Sequence, residues 1–347
     1  MNTTKPIGIG IIGTGLSATQ HLTALAEVPL ARVVAVAGTS IQKARAFADR
    51  WHIPRAYATP EDLLADSEVA AVHLCTPPDL RVPLAEACAA AGKHVLVEKP
   101  MARTVAEADQ IIAACEESGV QLGAMFQYRF TPQARTLKAA VDDGRLGRLL
   151  VVDLQAKWYR TDSYYRNSNW RGTAAREGGG VLINQAIHSI DLLRWIAGPV
   201  ADVQGVAATT LHPIQMEDVG LALLRFASGA VGSIVATTVA YPGFSERLSL
   251  LGEKGSAVLV QGEGAIEWNV RGEEPRRDVV AEQVSGASGD PAAAPSHGHV
   301  AEFTDFYTAI AQNRKPSIDG REGRPALEIV EAIYRSQREQ RPIRLPL

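Results

Sequence analysis

The fold class this sequence predicts is an N-terminal doubly wound α/β domain over residues 1–125, then an α+β domain over 126–347 on an open, mainly antiparallel sheet. Three observations carry it. The chain is 347 residues long, about two domains' worth. From residue 7 to about 124, short β-rich runs alternate with Ala-rich helical stretches, as βαβ units on a parallel sheet do. Beyond 126, strand-like runs follow one another with turn residues between them, the texture of antiparallel pairing.

In order, the first half predicts strands at 7–12, 32–37, 69–74, 94–97 and 121–124. Helices fall between them at 18–28, 41–51, 80–91 and 105–118, with Gly92 and Gly119 as C-terminal stops. A helix at 132–141 opens the second half. Strands follow at 149–158, 203–210, 219–226, 230–238 and 248–251, with turn signals at Ser228-Gly229 and Glu253-Lys254-Gly255, and one long helix spans 180–196. Residues 285–295 are small, rich in Gly and Pro and without period, and read as a mobile loop. Two helices close the chain at 299–312 and 323–338, each with one apolar face, and these are candidates to pack back on the first domain.

Thirty-five Lys and Arg against 38 Asp and Glu leave a net charge of −3, scattered along the chain, so nucleic acid is not an expected partner. No apolar run approaches the ~18 residues of a membrane helix, and no membrane partner is expected. The opening MNTTKPIGIG lacks the regions of a secretory signal, which predicts a cytoplasmic location. Cys75, Cys88 and Cys115 are an odd number without metal-ligand spacing and read as reduced core residues; no metal is implied. The open sheet face predicts a homo-dimer or homo-tetramer, since such faces are commonly closed by a copy of themselves.

The first strand runs into Gly13-Thr14-Gly15-Leu16-Ser17-Ala18, matching G-x-G-x-x-G/A where a Rossmann fold binds a dinucleotide. Gly13 permits the turn, Gly15 lets the backbone approach a pyrophosphate, and Ala18 keeps helix and sheet close, with Leu16 and Ser17 opening the helix on which the diphosphate would rest. NAD-binding versions carry an acidic residue at the end of the second strand. Here that place reads Gly38-Thr39-Ser40, with Lys43 and Arg45 after it. Nothing there would repel a 2′-phosphate, and Thr39, Ser40 and Lys43 could hold one, so NADP(H) is the preferred cofactor and NAD(H) the alternative.

Cys75-Thr76-Pro77-Pro78, Val97-Glu98-Lys99-Pro100, and Gly178-Gly179-Gly180 followed by Asn184, His188 and Asp191, together resemble the Gfo/Idh/MocA oxidoreductases over nearly the whole chain. The resemblance implies that Glu98-Lys99-Pro100, with an often cis Lys–Pro peptide, places Lys99 between nicotinamide and substrate. It implies that Cys75, Thr76, Pro77, Glu98 and Gln127 line the cofactor, and that Gln127, Tyr128 and Arg129 sit where ribose and substrate are touched. Lys99 draws notice independently, as a lysine following an apolar strand at the carboxyl edge of the sheet. Its ammonium could donate to the reacting oxygen; the alternative is a structural pair with Glu98.

On the 180–196 helix, Asn184, His188 and Asp191 fall at i, i+4 and i+7 and share a face, a polar stripe among buried residues. His188 is the expected proton acceptor for a substrate hydroxyl, a task suited to the ordinary histidine pKa of ~6.5. Polyol dehydrogenases of the family usually carry Asp where Asn184 stands; the Asn184-Gln185 pair resembles members acting on pyranosides and nucleotide sugars, and is expected to hydrogen-bond the ring. A second departure is Arg81, where the family usually has His, which would alter ribose contacts. Between 158 and 171, Trp158, Tyr159, Tyr164, Tyr165 and Trp170 interleave with Arg160, Arg166 and Arg171. Their rings suit pyranose faces and their guanidiniums suit anions, so Tyr164, Trp170 and Arg171 are expected to line substrate, or else a subunit interface. The resemblance also puts Trp170 and Arg171 near the nicotinamide.

These readings converge on an NAD(P)-dependent oxidoreductase moving a hydride between nicotinamide and a secondary hydroxyl or ketone of a cyclic sugar or inositol-like polyol. Two rivals share the architecture. One is a glycosidase using transient oxidation by held NAD, disfavoured by the missing acidic residue after the second strand; the other is a non-catalytic dinucleotide and sugar sensor, disfavoured by intact Lys99 and His188.

Overall fold

The computed structural model describes residues 6–280 and 297–347; the loop expected at 285–295 lies outside the described residues. The chain begins β1 (Ile7–Ile12), α1 (Leu16–Leu25), β2 (Ala31–Ala37), α2 (Ile41–Trp51), β3 (Arg55–Tyr57), α3 (Pro60–Leu64), β4 (Ala71–Leu74), α4 (Arg81–Ala90), β5 (His94–Val97), α5 (Val105–Glu117) and β6 (Leu122–Ala124). These strands form one parallel sheet in the order β3-β2-β1-β4-β5-β6. The order reverses between β1 and β4, so a crevice opens at their carboxyl ends, where doubly wound folds bind ligands. β3 and α3 are absent from the sequence expectation because a three-residue strand reading Arg-Ala-Tyr has no apolar run. Polar bonds hold it: Arg55 Nε donates to Asp66 at 2.6 Å and Tyr57 Oη at 3.1 Å.

The second half runs α6 (Pro132–Asp142), β7 (Leu149–Lys157), α7 (Asp162–Arg166), α8 (Val181–Asn184), α9 (Ile187–Ala197), β8 (Val200–Ala208), β9 (Val219–Phe226), β10 (Val231–Thr237), β11 (Arg247–Gly252), β12 (Gly255–Val260), β13 (Ala265–Val270) and β14 (Arg276–Val279). After it come α10 (His297–Ala311), α11 (Gly320–Glu339) and β15 (Ile343–Arg344). Nine strands of the described residues pair in the order β14-β13-β12-β11-β7-β10-β9-β8-β15, antiparallel except for β7 with β10. The sequence foresaw five of them. The β12–β14 meander and the terminal β15 escaped because their strands are short and bounded by charged residues instead of clean alternation.

Two compact units result: the described residues of Met1–Gln127 with Ala294–Arg324, and those of Tyr128–Ala293 with Pro325–Leu347. In the first, α10 packs on α1, and its Phe303, Phe306 and Tyr307 join Ile9, Ile11, Ala18 and Leu22 in one core. Each such ring buried contributes roughly 1.5–3 kcal/mol, so α10 is an integral part of the dinucleotide-type unit. In the second, α6, α8 and α9 cover one sheet face. Along β9 the residues Gly220, Ala222, Leu224 and Phe226 turn inward while Leu221 and Leu223 turn out. With Val151, Val206 and Val231 these make an exposed apolar stripe on the open face. No helix of the described residues is long and apolar enough to cross a membrane.

Candidate active site

In the first unit every residue expected to hold a cofactor lies at the carboxyl ends of the strands. Gly13 has φ +118, and a Cβ there would sit 2.3 Å from the Cys75 carbonyl oxygen, so only glycine passes between β1 and β4. Gly15 caps α1 without any side-chain cap, and a Cβ on it would enter open space. The first-turn N–H groups, on Leu16 and Ser17 among others, are thus left to an anion of the diphosphate kind. Beyond β4 and β6, Thr76 Oγ1 and Gln127 Oε1 are buried and have no hydrogen-bond partner among the described residues. A dinucleotide fits this set of glycine cradle, uncapped helix and orphaned polar atoms.

At the end of β2, Ser40 caps α2 by accepting the Lys43 N–H at 3.3 Å, and α2 has no acidic residue in its first turn. Thr39 and Lys43 are exposed. Gly38 has a steric reason as well as the electrostatic one: a Cβ would lie 3.2 Å from Thr14 Cγ2 and 3.3 Å from Ala44 N. Cys88 and Cys115 are buried as expected, but Cys75 is half-exposed with its Sγ 3.5 Å from His21 Nδ1, which corrects the reading of it as a core thiol.

β5 delivers Glu98 and Lys99, and the Lys99–Pro100 peptide is cis, as the resemblance implied. The buried Glu98 accepts from His21 Nε2 at 2.9 Å through Oε1 and from the Lys99 N–H at 2.9 Å through Oε2. Behind it, His21 Nδ1 meets His73 Nδ1 at 2.8 Å, and His73 Nε2 meets Tyr307 Oη at 2.6 Å. Burial would raise the Glu98 carboxyl, but the hydrogen bond and charge of His21, with Lys99 and Arg81, hold it far below the usual carboxylate range. Burial also opposes charge on His21, yet Cys75 and Glu98 raise it to about 10. Burial and the neighbouring His21 keep His73 well below its ordinary value.

Arg81, the departure from the family's histidine, turns inward. Buried, it donates to Thr76 O from Nε at 3.0 Å and from Nη2 at 2.8 Å, and from Nη1 to Glu98 O at 2.5 Å and to Pro100 O. It clamps the loop after β4 to the loop that bears Lys99.

In the second unit the expected single helix over 180–196 is two helices, α8 and α9. The Ala186 N–H bonds Val181 O, five residues back, so the helix widens by one residue between Asn184 and Ile187. The glycine run before it is needed for approach: a Cβ on Gly180 would come within 1.9 Å of Glu217 O. Glu217 then anchors the turn, its carboxylate accepting Gly180 N and Leu182 N at 3.0 Å each and Tyr334 Oη at 2.8 Å.

The widening breaks the shared polar face between Asn184 and His188. Asp191 is fully buried in a bidentate pair with Arg129, at 2.7 and 2.6 Å, so the two brace each other within the second unit. The other predicted residues of the second unit gather in two groups, the first of them at His188. Tyr128 lies against its ring at 4.8 Å. Gln185 Nε2 donates to Tyr164 Oη at 3.1 Å, and the Arg171 guanidinium lies over the rings of Tyr164 at 4.4 Å and Trp170 at 5.2 Å. Sequence reading missed Glu177, which is buried, accepts from Asn184 Nδ2 and from Gly172 N, and so joins the Trp170–Gly172 turn to Asn184. The signal available was a carboxylate immediately before three glycines.

A parallel sheet with a glycine cradle at its switch point and a lysine at its carboxyl edge is the frame of a dinucleotide-dependent oxidoreductase. The comparisons agree. Residues 7–126 match the oxidoreductase family with NAD-binding Rossmann fold (GFO_IDH_MocA), and residues 134–258 match the GFO/IDH/MocA C-terminal domain. The chain is similar to the WlbA dehydrogenase from Bordetella pertussis in complex with NADH and UDP-GlcNAcA, with a TM-score of 0.89, 33% identity and 100% of both chains covered. It is 31% identical to an uncharacterised oxidoreductase of Synechocystis over 75% of this chain and 73% of that one. It is 27% identical to myo-inositol 2-dehydrogenase of Thermotoga maritima, over 97% and 98%. The chain belongs to the Gfo/Idh/MocA family of oxidoreductases.

Proposed function

We propose that this protein is an NADP(H)-preferring dehydrogenase or reductase acting on a secondary hydroxyl or ketone of a cyclic sugar, sugar derivative or inositol-like polyol. The observation that carries the reading is the set of contacts on the second unit: the His188 ring against Tyr128, Gln185 on Tyr164 Oη, the Arg171 guanidinium over Tyr164 and Trp170, and the Asn184 amide on Glu177. Amides pair with ring hydroxyls in either donor or acceptor sense, and aromatic faces pack on the CH faces of a pyranose. The likeness to a myo-inositol 2-dehydrogenase and to a dehydrogenase in complex with UDP-GlcNAcA supports the class.

When bound, the nicotinamide supplies the hydride acceptor or donor. The Lys99 ammonium donates to the reacting oxygen and stabilises the negative charge left there as the hydroxyl proton departs in oxidation, or gathering there as hydride reaches the carbon in reduction. His188 takes the hydroxyl proton, and returns it in the reductive direction. Asn184, its amide steered by Glu177, and Gln185, braced on Tyr164, orient the ring; Tyr164, Trp170 and Arg171 wall it. Gly13, Gly15, Leu16, Ser17, Cys75, Thr76, Pro77, Glu98 and Gln127 line the cofactor, while Thr39, Ser40 and Lys43 receive a 2′-phosphate. The apolar stripe of Leu221, Leu223 and Val231 closes against a second copy of the chain, and the protein works in the cytoplasm.

A panel of sugars, inositols and nucleotide sugars with both cofactors, followed at 340 nm, tests the reading, with His188→Ala beside wild type. Reduction of cofactor by a ring alcohol, lost in the variant, is expected. Release of a glycoside without net cofactor reduction would replace the reading with transient oxidation, and tight sugar binding without turnover would replace it with a sensor.

A further inference from the structure

Tyr307, His73, His21 and Glu98 come from α10, β4, α1 and the end of β5, and form one unbroken line of hydrogen bonds at 2.6, 2.8 and 2.9 Å. His21, His73 and Tyr307 are fully buried and Glu98 nearly so. A polar chain in such a place is costly unless each member is satisfied. Two assignments satisfy every bond: both rings neutral, with Tyr307 donating to His73 Nε2 and His73 Nδ1 to His21 Nδ1, or His21 carrying both ring protons, with His73 donating from Nε2 to Tyr307. The titration directions given above, His21 upward and His73 and Glu98 downward, favour the second. Cys75 at 3.5 Å, the Arg81 guanidinium on the Glu98 carbonyl, the ring of His299 and the Lys99 ammonium are the other titratable or charged groups facing this line.

We propose that His21 is a positioning residue for Lys99: its charge neutralises the Glu98 carboxylate, leaving that carboxylate to hold the Lys99 main chain instead of capturing the Lys99 ammonium. One Glu98 oxygen is taken by the imidazolium and the other by the Lys99 N–H, so the lysine's neighbour anchors its backbone. Without His21, a buried carboxylate one residue away would be uncompensated, would draw the ammonium to itself and would raise its pKa. His73 and Tyr307 fix the tilt of the His21 ring, which extends the anchor into α10.

This inference rests on the catalytic role proposed for Lys99, and the test has one arm that needs no turnover. Competitive acetylation of Lys99 across pH, quantified by mass spectrometry, reads the ammonium's titration in wild type, His21→Leu, His21→Gln and the His21→Leu/Glu98→Gln double variant. An upward shift of roughly one unit or more in His21→Leu is expected, smaller in His21→Gln, and absent in the double variant, where no carboxylate remains and the substituted amide's oxygen can still accept the Lys99 N–H. In the turnover arm, read at saturating dinucleotide, His21→Leu is expected to lower kcat at least tenfold with dinucleotide Kd within about threefold, and the double variant to exceed His21→Leu in kcat. An unshifted lysine in folded His21→Leu, or a double variant no better than His21→Leu, overturns the proposal. A shifted lysine with no substrate turned over by wild type would sustain the pairing and refute the oxidoreductase reading instead.

Discussion

The proposed preference for NADP rests on the end of β2, and Thr39→Asp is the cleanest perturbation of it. The carboxylate would stand beside the exposed first turn of α2, where Ser40 is the cap, Lys43 supplies the charge, and no acidic residue now lies. A unit charge ~4 Å from another costs about 1 kcal/mol in water and about 4 at an effective dielectric of 20. Thr39 is exposed, so the lower figure governs. Doubled for a phosphate near charge −2, it gives about 2 kcal/mol, or roughly thirtyfold. Wild type is expected to favour NADP by about tenfold in kcat/KM, each tenfold being ~1.4 kcal/mol, and Thr39→Asp to bring the two cofactors level or reverse them. Gly38→Asp is a poorer test, since its Cβ would press within 3.2 Å of Thr14 before any charge is felt. The assay is the ratio of kcat/KM for the two cofactors at low and high salt; at 1 M the ~3 Å screening length should shrink the switch. Wild type preferring NAD, or a ratio unmoved by Thr39→Asp, would refute the reasoning.

Lys99→Ala should lower turnover on the order of 10²–10³ with dinucleotide affinity retained, measured by steady-state rates beside fluorescence titration; equal loss of both would make Lys99 a cofactor residue. Arg81→Lys cannot span three carbonyls with one ammonium, and each carbonyl left unsatisfied costs ~1–3 kcal/mol, so a drop of about 2–4 kcal/mol should show in the urea midpoint. The Glu98–His21 pair gives stability a two-sided pH dependence. Glu98, depressed in the fold, contributes above the ordinary glutamate value and loses its share as pH falls; His21, raised to about 10, contributes fully below ~6.5 and loses its share as pH climbs through about 10. Urea midpoints between pH 7 and 10 should therefore fall in wild type, and fall less steeply in His21→Leu. Leu223→Lys on the open sheet face should convert an oligomer to a smaller species by light scattering without loss of helix signal; an unchanged mass would move the interface elsewhere.

Burial on both sides made much of the first unit legible: β1, β2, β4 and β5 read as apolar runs because neither face of a parallel sheet is wet. What escaped was held by polar bonds, as in β3, or was half-wet, as in β12 to β14. The site divided in the same way. Gly13, Lys99 and His188 stood in motifs, so local order sufficed to find them. His21, His73 and Tyr307 did not, because the bonds that join them span 52 and 234 positions and nothing at either end marks the partner. Arg81 was noticed only as a departure from the family's histidine; nothing local in the sequence marks the main-chain carbonyls that take its donors.

The widened turn at Ala186 shows where periodicity itself misleads. Equal spacing of Asn184, His188 and Asp191 is a statement about a regular helix, and one extra residue per turn breaks it between the first and second members. The consequence is chemical. Asn184 and Gln185, neighbours in sequence and about 100° apart on a regular helix, each find a polar partner, Asn184 on Glu177 and Gln185 on Tyr164. His188, starting a fresh helix, packs on Tyr128, while Asp191 a turn later is buried against Arg129. The bulge shifts Asn184 and Gln185 relative to the histidine and leaves each amide braced by its own partner, while the spacing of His188 and Asp191 within α9 is unchanged and the carboxylate is taken by Arg129.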